Sequence, residues 1–370
     1  MVVMEKSSQR ELLQVADHPL PQLMAELTSA LAGTGPALAF GQIDRTHVPA
    51  GIALLTTTSG STGEPKEVAL SAAALLASAR ASNKYLGATS GQKWSLLLPL
   101  THVAGINVLT RALDLGTSPI DLRERRDYQR ADFAAIVPTQ LFRALNGDAP
   151  LLAHLKNCDA VLVGGAALSN SLAISARGNG INIVQTYGMS ETCGGCVYNG
   201  TPLVGVEVRI VEGLIQIKGP TLATTYLNDE QGWRSSLDDG WFRTSDLGEY
   251  KNGQLRVIGR SDEVIITGGE NISLIAVEES LKTKFLGADF AAFALPDSEW
   301  GATLHIALVG DTSISNDEMT LHLAHTLGPA AKPKGFHRLS SLPLIGVGKV
   351  DRKALSNSVK DGSGGVDEFS

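Results

Sequence analysis

Thr56 to Lys66 reads TTTSGSTGEPK. An apolar run, Ile52 to Leu55, leads into it and has the pattern of a buried strand. Gly60 and Gly63 carry no Cβ, so the backbone there can bend and come close to a ligand. The hydroxyls of Thr57, Thr58, Ser59, Ser61 and Thr62 add donors, and exposed N–H groups in such a loop form a nest for an anion. Lys66 adds a full positive charge. The composition is that of a triphosphate cradle, although a Ser/Thr/Gly turn without a ligand would look similar. It is not a Walker A loop, which needs Gly-Lys-Ser/Thr opening a helix. Here Pro65 precedes Lys66 and Glu67 follows. Glu67 to Leu70 predicts a strand, and Ser71 predicts the cap of a helix over Ala72 to Tyr85.

The 370 residues exceed one usual domain, so two are expected. With 43% hydrophobic and 19% charged residues the chain can bury a substantial core, which argues against disorder. A net charge of −7 without a long basic run lacks the footprint of a nucleic-acid binder. No apolar run approaches the roughly 18 residues of a membrane helix, and MVVMEKSSQRELL lacks the apolar core of a signal peptide. Cys158, Cys193 and Cys196 make no disulfide framework. A cytoplasmic protein without a membrane partner is the expectation.

Outward from the cradle, Gln22 to Leu31 is helix-prone, and Trp94 to Leu98 reads as a buried strand ending at Pro99. From Thr101 to Gly116 the apolar residues recur at helical spacing. His102 stands just before that helix. Arg111 lies inside it, where an arginine must snorkel or meet an anion such as a substrate carboxylate. Strands at 134–137, 159–163 and 182–186 alternate with helices, the pattern of a parallel sheet covered by helices. Ligands of such sheets bind at the carboxyl ends of strands. The cradle, Pro99 to His102, Gly164 to Ala166 and Tyr187 onward all fall there. Cys193-Gly-Gly-Cys196 is one CxxC without a second pair or histidines, weak for a metal or redox site. Gly194 and Gly195 are instead expected to leave room for a substrate ring. Short strands follow from Val204, with a hairpin turn at 251–254. A small α+β unit comes after residue 260, and disorder is expected from about Ser356.

The loop pattern [ST]-S-G-[ST]-T-G-x-P-K resembles the phosphate loop of the acyl-adenylating superfamily, which includes the acyl-CoA synthetases. Five further segments match in that family's order: LPLTHVAG at 98–105, GGA at 164–166, YGMSE at 187–191, GWFRTSD at 240–246 and PLIGVGKVDR at 343–352. Ser245 stands where the family has glycine. The resemblance implies an α/β fold. A large N-terminal domain of helix-covered sheets, residues 1–260 with a shortened start, would bind ATP and an acid. A small mobile α+β domain, 261–355, would carry the catalytic lysine, and 356–370 would be a disordered tail.

It also implies roles. Thr58, Ser59, Gly60, Ser61, Thr62, Gly63 and Lys66 would hold the outer phosphates. Gly164, Gly165 and Ala166 would border the adenine, Tyr187 would pack on it, Gly188 and Met189 would belong to the same ATP site, and Ser190 would meet the α-phosphate. Glu191 would bind Mg²⁺. Asp246 and Arg260 would take the ribose, Asp262 would be the hinge, and Gly268 and Gly269 would border a coenzyme A channel. Lys349 would be the catalytic lysine, with Lys66 and His102 beside the reacting groups. His102, Arg111, Cys193 and Gly194 would line the acid pocket.

Within the superfamily the chain is most similar to the short o-succinylbenzoate–CoA ligases of menaquinone synthesis. The reaction so implied uses ATP, Mg²⁺ and coenzyme A. The acid is adenylated with release of pyrophosphate, and the acyl group then passes to coenzyme A with release of AMP. A ligase for another aromatic or fatty acid, or an enzyme loading a carrier protein, would share every ATP motif. A phosphotransferase would need a Walker A or kinase set, which the chain lacks. A homodimer stays open, because no residue pattern determines an oligomeric state.

Overall fold

A computed structural model describes residues 9–15, 18–41, 43–58, 65–124, 127–261, 263–285, 287–310, 313–345 and 349–360. The chain divides into two units, Met1–Thr244 with Tyr250–Arg256, and Ser245–Glu249 with Val257–Ser370.

Among the described residues the first unit contains two whole sheets and the larger part of a third, whose strands also carry residues 245–249 and 257–260 of the second unit. In the first sheet β1 (Gln9–Gln14), β2 (Ala37–Phe40) and β4 (Ile52–Thr58) run parallel as neighbours. β3 (His47–Pro49) pairs antiparallel with β1, and β5 (Lys66–Ser71) with β4. The far edge of β5 takes up β15 (Thr225–Tyr226). Ala37 to Phe40 and Ile52 to Leu55 are wholly buried, as continuous apolar strands covered on both faces must be. One cover is α1 (Leu20–Ala32), which buries Leu23, Met24, Leu27 and Ala30. The other elements near it include α2 (Ala72–Leu86), whose start is capped by Ser71 Oγ accepting from Ala74 N at 3.1 Å. The helix expected near Gln22 is therefore α1. The strands β1, β2 and β3 around it are too short to read from alternation alone.

The second sheet has the order β12-β11-β10-β9-β8-β6-β7. Its parallel strands are β6 (Trp94–Leu96), β7 (Ile120–Asp121), β8 (Phe133–Ile136), β9 (Ala160–Val163) and β10 (Ile183–Met189). β11 (Gly194–Tyr198) and β12 (Thr201–Pro202) add an antiparallel edge. The connections run through α3 (Val103–Asp114), α4 (Pro138–Leu145), α5 (Ala149–Lys156) and α6 (Asn170–Gly178). Strand order turns back between β6 and β8, the place where a crevice opens at the carboxyl ends.

The third sheet joins β13 (Glu207–Val211), β14 (Leu214–Lys218), β17 (Trp241–Lys251) and β16 (Leu237–Asp238), with α7 (Glu230–Ser235) ahead of β16. β18 (Gln254–Arg260) returns on β17 through Asn252-Gly253, both left-handed at φ 53° and 76°, as a tight hairpin of this hand requires.

In the second unit β19 (Val264–Thr267) and β20 (Glu270–Ser273) form a hairpin beside the long pair β21 (Ala288–Asp297) and β22 (Gly301–Gly310). β23 (Gly335–Arg338) lies parallel to β22. The helices α8 (Leu274–Lys284) and α9 (Asn316–Leu327) share one apolar cluster with this sheet. The short pair β24 (Leu344–Ile345) and β25 (Lys349–Val350) precedes α10 (Arg352–Lys360).

That last helix corrects the expectation of disorder from Ser356. Leu355 is 1% exposed in a cluster with Ala291, Phe293 and Ala307, and Val359 packs against it. Ser356 Oγ donates to Ala294 O at 2.8 Å. Polar composition suggested a tail, but an apolar residue on successive turns gives the helix a face to bury. Residues 361–370 lie outside the described residues. No helix among the described residues is long and apolar enough to cross a membrane.

Candidate active site

β4 and β5 place Thr58 opposite Lys66, so these two residues form the stem of the glycine-rich loop. Ser59, Gly60, Ser61, Thr62 and Gly63 lie outside the described residues. The stem is held from one side by the segment after β15. Asn228 Nδ2 donates to Pro65 O at 2.8 Å, and Asn228 Oδ1 accepts from Glu67 N at 2.8 Å. Lys66 Nζ stands 4.5 Å from the centroid of the Tyr226 ring. The hydroxyl of the same tyrosine donates to Glu191 Oε1 at 2.8 Å. Lys66 and Glu191, 125 positions apart in the chain, thus meet on one side chain.

Glu191 sits in a helical turn, Ser190–Thr192, at the end of β10. Cys193 then takes a left-handed conformation at φ 50°. Thr192 Oγ1 donates to Gly194 O at 2.7 Å and accepts from Met189 N at 2.9 Å. From behind, the Cys193 carbonyl accepts from Asn107 Nδ2 at 2.6 Å and Ser78 Oγ at 3.0 Å, both buried. Two glycines allow this fit. A Cβ on Gly188 would lie 2.0 Å from Gly194 O, and one on Gly194 would lie 2.1 Å from Asn107 Nδ2. The space beside Gly194 is thus taken up by Asn107. Both cysteines of the CxxC are fully buried. Burial pushes the Cys193 thiol well above its ordinary range and the Cys196 thiol up to about 12, so both stay protonated near neutrality.

Gly164, Gly165 and Ala166 leave the end of β9, where Gly164 lies against Thr186 of β10 and Gly165 against Val137. His102 is exposed at the start of α3, and Arg111 is 4% exposed near its end. Nine residues of helix separate them by roughly 13 Å along the axis, so they face different regions. The Arg111 guanidinium lies 5.1 Å from the Trp94 ring centroid and donates through Nη2 to Tyr198 OH at 3.1 Å. Tyr198 OH in turn shares a 2.8 Å hydrogen bond with Ser82 Oγ. Arg111 Nε has no hydrogen-bond partner among the described residues. A cavity of about 690 Å³ opens at the carboxyl ends of β2, β6 and β7, bounded by Gly41, Pro99, Thr101 and Arg123. It adjoins the approach to His102 and does not reach Lys66 or Glu191.

Glu191 suits magnesium. One carboxylate oxygen is fixed by Tyr226, and the other has no hydrogen-bond partner among the described residues. Magnesium is held by few carboxylates together with phosphate oxygens and water, so one such oxygen, linked through Tyr226 to Lys66 on the stem of the glycine-rich loop, fits it.

Of the remaining expected residues, Asp246, Arg260, Gly268, Gly269 and Lys349 belong to the second unit. Asp246 lies in β17, and Arg260 ends β18. Gly268 and Gly269 form the turn between β19 and β20, where Gly268 N donates to Trp300 O at 3.2 Å. Lys349 opens β25. Asp262 lies outside the described residues. Tyr226, Asn228, Asn107 and Ser78 carry no motif signal, and only the fold reveals them.

The AMP-binding enzyme family matches residues 5–227, more than half of the chain. The chain belongs to the AMP-binding enzymes. Among members of this family, a probable 2-succinylbenzoate–CoA ligase of Mycobacterium tuberculosis (strain CDC 1551 / Oshkosh) is 39% identical over 324 residues, 82% of this chain and 84% of that one. The 2-succinylbenzoate–CoA ligase of Bacillus subtilis (strain 168) is 29% identical over 392 residues, 96% and 76% of the two chains. Among solved AMP-binding enzymes, the o-succinylbenzoate coenzyme A synthetase (MenE) from Bacillus subtilis in complex with ATP and magnesium ion is similar at a TM-score of 0.72 and 25% identity. That match covers 90% of this chain and 82% of that one. The α/β architecture expected from the motifs is the one observed, and it is the fold of these adenylate-forming neighbours.

Proposed function

We propose that this chain is an AMP-forming acid–thiol ligase that joins 2-succinylbenzoate to coenzyme A. The observation that carries the ATP chemistry is the meeting of Lys66 and Glu191 on Tyr226, beside the stem of the glycine-rich loop. The relatives' names supply the acid.

In the first half-reaction a carboxylate oxygen of the acid attacks the α-phosphorus of ATP, and pyrophosphate leaves. Negative charge shifts onto the pyrophosphate, and the role proposed for Lys66 is to offset that charge. Magnesium, when bound at Glu191, supplies further positive charge to the phosphate oxygens. Preorganised charge of this kind is usually the largest catalytic term, and losing one donor costs about 10²–10³ in rate. Lys349 acts in this step from the second unit. In the other half-reaction the coenzyme A thiol attacks the acyl carbonyl of the adenylate, and AMP leaves. Gly268 and Gly269 border the thiol path, and rotation at Asp262 exchanges the two roles. Arg111, buried without an acidic partner among the described residues, is the cation we assign to the second carboxylate of the acid. We place the reaction in the cytoplasm, in menaquinone synthesis.

The test is pyrophosphate and AMP release with magnesium–ATP, screened across 2-succinylbenzoate and aromatic, fatty and amino acids. Fastest turnover with 2-succinylbenzoate, with coenzyme A thiol consumed, is the expected result. ADP as product, or no adenylate with any acid, overturns the assignment.

A further inference from the structure

Two opposite charges beside a polyphosphate site tend to cancel each other. Lys66 and Glu191 do not form a direct ion pair; Tyr226 stands between them. Its ring carries the ammonium at 4.5 Å, and its hydroxyl holds one carboxylate oxygen at 2.8 Å. A cation over a desolvated aromatic face is held by the ring quadrupole and keeps its charge. A carboxylate accepting one hydrogen bond keeps its charge as well, with its other oxygen available.

The tyrosine is itself fixed. It is 2% exposed and pairs with Val68 in the ladder between β15 and β5. The Trp233 ring meets it edge-on at 5.1 Å and stacks in turn on Phe242 at 5.3 Å. Ala223 N, three residues earlier, donates to Glu191 O at 2.8 Å. One short segment therefore grips both the backbone and the side chain of Glu191. Two residues after Tyr226, Asn228 brackets Lys66 by bonding Pro65 and Glu67. An ionised carboxylate can only accept, so the phenol O–H is the donor in this contact.

We propose that Tyr226 is a positioning residue that keeps Lys66 and Glu191 apart, so that the lysine stays available to the ATP phosphates and the carboxylate to the magnesium ion. Asn228 supports the lysine side of the same device by holding the loop stem. This rests on the adenylation reading given above.

The experiment compares wild type, Tyr226→Phe and Asn228→Ala. Binding of a non-hydrolysable ATP analogue is followed by calorimetry while Mg²⁺, or Mn²⁺ with spin-resonance detection, is titrated. Thermal unfolding is recorded for each protein. Tyr226→Phe keeps the ring under Lys66 and removes the hydroxyl. It should raise the half-saturating metal concentration about tenfold, as loss of a hydrogen bond to a charged group does. Affinity for the analogue at saturating metal should stay within about threefold. Asn228→Ala should show the reverse split, with weaker analogue binding and little change in metal half-saturation. If both Tyr226→Phe curves overlay wild type, or if only the unfolding temperature moves, Tyr226 is a core tyrosine and the proposal fails. If wild type itself binds no metal–nucleotide, the adenylation reading fails first.

Discussion

Arg352 donates through Nη2 to Glu278 Oε1 at 2.7 Å, three residues beyond Lys349. Its Nε donates to Ala292 O at 3.0 Å, and the same Glu278 oxygen accepts from Ala292 N at 2.8 Å. The start of α10 is thereby tied to both α8 and β21. Burial raises the Glu278 carboxyl, and the Arg352 charge works against that rise.

Removing one partner of a nearly buried pair leaves an uncompensated charge. Arg352→Met is expected to lower the stability of the second unit by about 3–5 kcal/mol. Arg352→Met with Glu278→Met should recover only part of that loss, because buried Glu263, whose Oε1 lies 3.7 Å from Arg352 Nη1, also loses this cation. Denaturant unfolding of the four proteins of the cycle checks it. Additive losses would show that the pair contributes no coupling.

Lys349→Ala should nearly abolish pyrophosphate release while sparing thioester formation from supplied acyl-adenylate. Separate assays of the two half-reactions read this directly. Equal loss in both would reject distinct roles for the second unit.

His305 Nδ1 and His337 Nε2 are 3.1 Å apart, and Phe293 packs on both rings. Such a contact needs one ring to donate and the other to accept, so at least one must be neutral. Burial, then the His337 charge, lowers His305 to about 4, and burial lowers His337 as well. A group whose folded pKa is depressed by disfavouring its charged form costs stability when it must be protonated. The stability is full above the ordinary histidine value of about 6.5 and falls as pH drops towards 4. Unfolding temperature against pH should show this decline, and His305→Gln with His337→Gln should flatten it.

Gly188→Ala forces a Cβ to within 2.0 Å of the Gly194 carbonyl, a backbone atom that cannot step aside. The turn carrying Glu191 must shift, so adenylation is expected to fall by about 10² or more, since a misplacement of about 1 Å can cost that much. A variant with wild-type kcat would show that the turn tolerates the displacement.

Arg111→Met removes a buried cation and keeps much of its volume against Trp94. With 2-succinylbenzoate, kcat/KM should fall by about 10–10², the loss of a charged hydrogen bond. With a monocarboxylic analogue it should change little. Equal effects on both acids would make Arg111 a structural part of the α3–β11 contact alone.

The motifs were legible because their chemistry restricts residue type. A phosphate cradle needs glycines, hydroxyls and a lysine, and a magnesium site needs a carboxylate, wherever the chain then travels. The parallel sheet was legible for a similar reason: strands buried on both faces must be apolar throughout, as the run AVLV from Ala160 to Val163 is. The polar end of the chain misled, since among the described residues α10 buries only Leu355 fully and composition averages that face away.

Residue type and motif order thus pointed to the fold class and the family, and supplied the residues proposed to meet ATP. The partners that hold those groups in place came only from the tertiary structure. Tyr226 reaches Glu191 across 35 positions and Asn228 reaches Pro65 across 163. A tyrosine in a two-residue strand, or an asparagine in the bend after it, has no pattern of its own, because its function lies in what folding sets beside it.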